Sequence, residues 1–157
     1  MKRTRNWMLR EDVRIPLSFH DTDAMRVVWH GNYARFFEKA REALLDSLGY
    51  GYVQMDEDGV CFPVTDLKIT FRRPLTVGDR FCTASALLIA HDFKITFDYE
   101  VRNSQGQICA WGSTDQVCME TGGEHLTYDI PKRLVDSIEK AKPKLGPEAW
   151  SAREGRQ

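Results

Sequence analysis

No run of apolar residues in this chain approaches the roughly 20 needed to cross a bilayer, and the basic start Met1-Lys2-Arg3-Thr4-Arg5-Asn6 has no apolar region behind it. Neither a spanning helix nor a secretory leader is expected, so the chain reads as soluble and cytoplasmic. An excess of either charge is also lacking, with 22 basic and 23 acidic residues and a net charge of −1. Without a basic field to hold a phosphate backbone, nucleic-acid binding is not expected. Paired cysteines are absent too. Cys61, Cys82, Cys109 and Cys118 form no CxxC and have no histidine at zinc-ligand spacing. Each lies in an apolar stretch, which predicts buried reduced thiols and neither a metal nor a redox site.

What is present is an ordinary globular composition, 42% hydrophobic and 29% charged over 157 residues. That length builds one core and is short for two. A single domain is expected over residues 1–141, followed by a polar, mobile tail over 142–157 that contains Pro143, Gly146 and Pro147.

Hydrophobic periodicity divides the domain. Residues Val13 to Phe19 alternate as a strand, with Pro16 suiting an edge or a bulge. Tyr33, Phe36, Phe37, Ala40, Leu44 and Leu48 then recur at helical spacing. Asn32 is expected to cap this helix by accepting a first-turn N–H, and Gly49 to end it in a left-handed conformation. Val64 to Phe71, Phe81 to Ile89, Ile95 to Val101 and Ile108 to Met119 read as further strands, and Pro131 to Ala141 as a second helix. The fold class is therefore α+β, a curved antiparallel sheet of about five strands in a meander wrapped around one long helix. One helix leaves a sheet edge uncovered, so a homodimer or a dimer of dimers is expected.

Reactive groups concentrate between the first strand and the helix, in Phe19-His20-Asp21-Thr22-Asp23 and on to His30-Gly31-Asn32-Tyr33. The first N–H groups of a helix have no intrahelical partner and lie at the positive end of its dipole, so they can hold an acyl oxygen that becomes negative during attack. Glycine at 31 would let the backbone approach that oxygen. A nearby carboxylate can act as general base on water or attack the carbonyl itself. Spacing alone does not separate this reading from one in which Asp21 or Asp23 caps a turn and His30 is a linker residue.

Asp21-Thr22-Asp23-Ala24, Val27-Val28-Trp29-His30, Asn32-Tyr33 and Phe37-Glu38-Lys39-Ala40-Arg41, with the later turn Pro74 to Asp79, resemble the hotdog-fold thioesterases of the 4-hydroxybenzoyl-CoA type. Within them the Tol-Pal-associated acyl-CoA thioesterases are the nearest branch. The resemblance implies hydrolysis of an acyl-CoA without a metal or redox cofactor. It places the catalytic carboxylate on Asp23 and the oxyanion donors at His30 and Gly31. It also implies an acyl site formed by Phe19, Arg26, Val28, Trp29 and Tyr33, and contacts to coenzyme A from His91 and Lys94, with Arg72 and Arg73 as further candidates. Trp29 and Tyr33 suit the core as well as the substrate, and Phe36 and Phe37 suit the core better. Glu38 is read as a helix-surface ion pair, with Lys39's side of the helix or with Arg41.

Two residues depart from the resemblance. Arg26 replaces a usual glycine, which implies that the loop cannot take a glycine-only conformation and that a cation enters the neighbourhood of the acyl group or of Asp23. Phe19 replaces a tyrosine, removing a phenolic hydroxyl. The carrier is left open between coenzyme A and acyl carrier protein, and a non-catalytic acyl-thioester-binding protein is the third reading.

Overall fold

The computed structural model describes residues 8–141. The proposed tail, 142–157, lies outside the described residues. Among the described residues, seven strands and three α-helices follow one another as β1 (Met8–Pro16), α1 (Asn32–Ser47), α2 (Tyr52–Glu57), β2 (Val60–Cys61), β3 (Val64–Phe71), β4 (Phe81–Ala90), β5 (Lys94–Arg102), β6 (Ile108–Val117), β7 (Met119–Glu120) and α3 (Lys132–Ala141).

Five strands form one antiparallel sheet in the order β1-β4-β5-β6-β3, and β2 pairs with β7 separately. This is the expected α+β hotdog architecture, with one correction. The strands are not a simple meander, because β3 crosses to the far edge beside β6 and only β4, β5 and β6 are sequential neighbours. Pro16 ends an edge strand, where its missing N–H costs no ladder bond.

α1 lays Tyr33, Phe36, Phe37, Ala40, Leu44 and Leu45 into the core. The Phe37 ring stacks on Tyr99 of β5 with centroids 4.4 Å apart and planes 5° from parallel. Close approach of helix to sheet requires glycine at 112, where a Cβ would collide with the Lys68 carbonyl and the Phe37 ring. Gly49 takes φ 68° just past the helix end, as expected.

Asn32 does not cap α1. Gly31 occupies the cap position, and the Asn32 amide instead donates to the Asp21 carbonyl at 2.8 Å. Arg41 also differs from expectation. It does not pair with Glu38 at the surface but is 9% exposed, on the buried stripe of α1 between Phe37 and Leu45, and its Nη1 lies 3.4 Å from the Tyr99 hydroxyl. Cys82, Cys109 and Cys118 are buried free thiols, whereas Cys61 is only half-buried.

Candidate active site

The segment from Asp21 to Gly31 is held by main-chain bonds at both ends. The Asp21 carbonyl accepts the Trp29 N–H at 2.9 Å, and a bridge joins Thr22 to Val28. Val27 bridges to Thr76, and the Val28 N–H donates to the Leu75 carbonyl at 2.8 Å, tying the segment to the crossover between β3 and β4. Its tip is a tight turn in which the Arg26 N–H donates to the Asp23 carbonyl and the Asp23 N–H to that of Val27.

Arg26 sits at φ 63°. The loop therefore does adopt the left-handed conformation that glycine favours, with the cost carried by an arginine, about 1–2 kcal/mol for a side chain there. The expectation that arginine forbids this conformation is corrected. Among the described residues, Arg26 makes no ion pair with Asp23.

The two aspartates have separate environments. Asp21 is 4% exposed, and both carboxylate oxygens are engaged, Oδ2 by the Ser18 N–H at 2.8 Å and Oδ1 by Arg35 at 2.7 Å. Asp23 is half-buried. Its Oδ1 accepts the Met25 N–H at 2.8 Å, and its second oxygen has no partner among the described residues. A carboxylate with one oxygen anchored and the other open can take a proton from water or act as a nucleophile.

Asp23 borders two clefts. One, of about 290 Å³, is lined by Asp23, Val28, His30 and Tyr33 together with Phe71, Arg72 and Arg73. The other, of about 360 Å³, brings Asp23 together with Phe19, Arg26 and Val77. The His30 and Gly31 N–H groups precede α1, and no acceptor for either is recorded among the described residues. The N–H groups of Asn32 and Tyr33 are taken by the carbonyls of Trp29 and His30.

Tyr33 presents its ring edge to Phe71, centroids 5.0 Å apart, and burial pushes its hydroxyl up to about 12. It therefore stays protonated across the working range and is unsuited to act as a base. Trp29 is half exposed and outside both clefts, with its indole lying against Gly31. Glycine at 31 makes room for that ring where it lies, since a Cβ would displace it, and its φ of −66° is open to any residue.

His91 and Lys94 do not line either Asp23 cleft. They belong to the turn between β4 and β5, where the His91 N–H donates to the Lys94 carbonyl, His91 Nε2 lies 3.4 Å from the Thr96 hydroxyl, and Lys94 lies 3.5 Å from Asp115. In the first cleft the cations beside Asp23 are Arg72 and Arg73, whose backbone N–H groups both donate to the Cys109 carbonyl. The sequence signal for them was two adjacent basic residues just before the Pro74 turn.

Comparison with known proteins shows the family of the chain. Over 106 residues the chain is 29% identical to the provisionally named acyl-CoA thioesterase YneP of Bacillus subtilis, covering 68% of this chain and 77% of that one. It is 30% identical over 110 residues to the 1,4-dihydroxy-2-naphthoyl-CoA hydrolase of Thermosynechococcus vestitus, covering 69% and 75%. The crystal structure of the hypothetical protein TT1821 from Thermus thermophilus superposes with a TM-score of 0.74 at 29% identity, over 84% of this chain and 97% of that one. The model of the thioesterase-like superfamily matches residues 17–143, all of the chain from the end of β1 to just past α3, and the chain belongs to that superfamily.

Proposed function

We propose that the protein hydrolyses an acyl-CoA thioester to the free acid and coenzyme A at Asp23. The observation that carries this reading is the half-open Asp23 carboxylate beside a helix start whose preceding N–H groups are unused, within a family of thioesterases. As base, Asp23 takes a proton from water while the water oxygen bonds to the thioester carbon. The carbonyl oxygen becomes negative against the His30 and Gly31 N–H groups, the carbon–sulfur bond breaks, and the proton passes to the departing thiolate. As nucleophile, Asp23 bonds to the same carbon and expels the thiolate, and water cleaves the resulting anhydride. A single turnover in ¹⁸O-water tests the anhydride route, since ¹⁸O found in the Asp23 carboxylate and not in the product acid shows water attack at the aspartyl carbon of the anhydride.

Asp21 is the structural partner, because both of its oxygens are occupied. Arg72 and Arg73 suit the coenzyme A phosphates better than His91 and Lys94, which are tied into their own polar cluster with Asp115. The placement nearest the Tol-Pal-associated branch rests on the Asp21–Asp23 and Val27–His30 motifs and belongs to this same proposal. Purified protein assayed on a panel of acyl-CoAs with thiol detection tests the activity. Wild-type rates no higher than those of Asp23→Asn across the panel would sink it.

The working unit in this reading is a homodimer joined along β3. This strand is a sheet edge with Leu67 and Phe71 exposed, and an unpaired edge of this kind accepts another strand. Its sequence is self-complementary: antiparallel pairing centred on Leu67 sets Asp66 opposite Lys68 of a second copy, twice. Sedimentation of the wild type as a dimer, and of Leu67→Lys as a monomer, is the expected result, and a monomeric wild type would remove this part.

A further inference from the structure

Large apolar side chains stand in the open around Asp23. Phe19 is 82% exposed and Met25 76%, and Val77 and Arg26 are exposed as well. Phe19, Arg26 and Val77 share one of the two clefts that Asp23 borders, and Met25 lines the other. Each is carried on backbone that is pinned. The Phe19 carbonyl accepts the Thr22 hydroxyl at 2.7 Å, the Met25 N–H donates to Asp23 at 2.8 Å, and the Val77 carbonyl accepts the Arg80 N–H at 3.0 Å. Three separate stretches of chain thus hold apolar tips out around one point, and an exposed apolar group of this kind marks a surface that meets something.

The charge of that surface narrows the choice. The residues lining the two clefts include three arginines, Arg26, Arg72 and Arg73, against the single carboxylate of Asp23, although the whole chain carries −1. Arg72 lies over the Trp111 ring at 4.9 Å, and Arg26 and Arg73 make no ion pair among the described residues. Asp79, two residues past Val77, is turned back onto the Thr76 N–H at 2.9 Å. A positive face studded with apolar projections matches an anionic bilayer. Headgroup phosphates meet the guanidinium groups, and the acyl boundary receives apolar tips wherever they stand. A folded acidic protein would have to supply a matching hollow for each projection.

We infer that the rim formed by Phe19, Met25, Arg26 and Val77 is a docking surface for an anionic lipid bilayer, which holds the mouth of the Asp23 site against the membrane. The docking stands apart from the hydrolase reading, whereas its use rests on that reading: a long-chain acyl-CoA lying in the bilayer reaches Asp23 without its chain crossing water.

Flotation of the full chain with vesicles of phosphatidylcholine, alone or mixed with phosphatidylglycerol, tests the docking. The wild type is expected to bind the anionic vesicles tighter by about tenfold or more, each arginine near such a surface adding about fivefold, and to release them at high salt. Met25→Ser keeps the main-chain bond to Asp23 and is expected to weaken binding by on the order of tenfold. Arg26→Gln is expected to weaken it by about fivefold. Thermal transitions show that both variants are folded. In the hydrolysis assay, Met25→Ser should act on acetyl-CoA in solution as the wild type does and lose rate only on palmitoyl-CoA presented on anionic vesicles. Equal loss on both esters would place Met25 in the chemistry and overturn the docking role. Equal binding of neutral and anionic vesicles, or anionic binding that Met25→Ser leaves unchanged, would overturn the surface as drawn. No vesicle binding, with retention on immobilised poly-glutamate that Arg26→Gln abolishes, would give the face to an acidic protein and overturn the bilayer. Vesicle binding that responds to both variants, in a protein that hydrolyses no acyl-CoA, would uphold the docking surface and remove only the hydrolase reading.

Discussion

Arg35, in the first turn of α1, donates to the Asp21 carboxylate at 2.7 Å and so clamps the helix start to the end of the segment that carries Asp23. The same carboxylate holds the Ser18 N–H. Asp21→Ala removes both bonds from a buried position, and a loss of about 2–4 kcal/mol is expected, less than twice the roughly 1.5–3 kcal/mol of a hydrogen bond to a charged group because water replaces part of the bond at the half-exposed Arg35. Urea denaturation checks this, and an unchanged midpoint would show that the clamp is dispensable.

Arg26→Gly is expected to stabilise the protein. Relief of the left-handed cost, about 1–2 kcal/mol, exceeds the extra chain entropy that glycine brings, about 0.5–1 kcal/mol. The denaturation midpoint should rise with an unchanged slope. Activity reports separately on the guanidinium, which borders the second Asp23 cleft.

The His91 imidazole is pushed below its usual value, first by burial and then by the positive charge of Lys94, with Asp115 and Asp92 opposing. Its folded value is lower than its unfolded one, so between the two the unfolded chain binds more protons and stability rises with pH. The contribution is complete above about 6.5, the ordinary histidine value, and declines as pH falls below it. An NMR titration of the His91 ring is expected to show a midpoint below that value, moved upward by Lys94→Met and further downward by Asp115→Asn.

Burial pushes the Cys82 thiol up to about 12 and raises Cys109 and Cys118 as well. The thiolate is the reactive species, so these three should resist an aromatic disulfide reagent at pH 8 until the protein unfolds. One equivalent, from half-buried Cys61, is expected to react rapidly. Mass mapping of the labelled cysteine decides the matter.

The long periodic elements were legible because their residues repeat where burial demands it: α1 and strands β4 to β6 follow the apolar spacing, whereas β3 only approximates it and is exposed at seven of its eight residues. The order of the strands was not, since placing β3 beside β6 depends on pairing partners about 50 residues apart in sequence. The helix α2, at six residues, is too short to show a period. Arg41 was missed because a charged residue on an apolar stripe reads as an interruption, although its place between Phe37 and Leu45 puts it on the buried face. In the candidate site, the motif nominated Asp23 and His30, and the two aspartates differ in the occupancy of their oxygens. The pairing of Arg72 and Arg73 with that cleft came only from the crossover that brings Pro74 beneath the loop.

The bond from the Val28 N–H to the Leu75 carbonyl joins points 47 residues apart and closes only once β3 and β4 have taken their places on either side of the sheet. The Asp23 turn is therefore assembled late, after the long-range pairing that limits the folding of such topologies. Its release without unfolding of the core is expected, because the Val28 bond and the Val27–Thr76 bridge are what tie it to the crossover. The exchange rate of this one amide hydrogen thus times the opening of the turn separately from the opening of the sheet, and a chain with native sheet protection but fast exchange at Val28 would be folded yet unable to present its carboxylate.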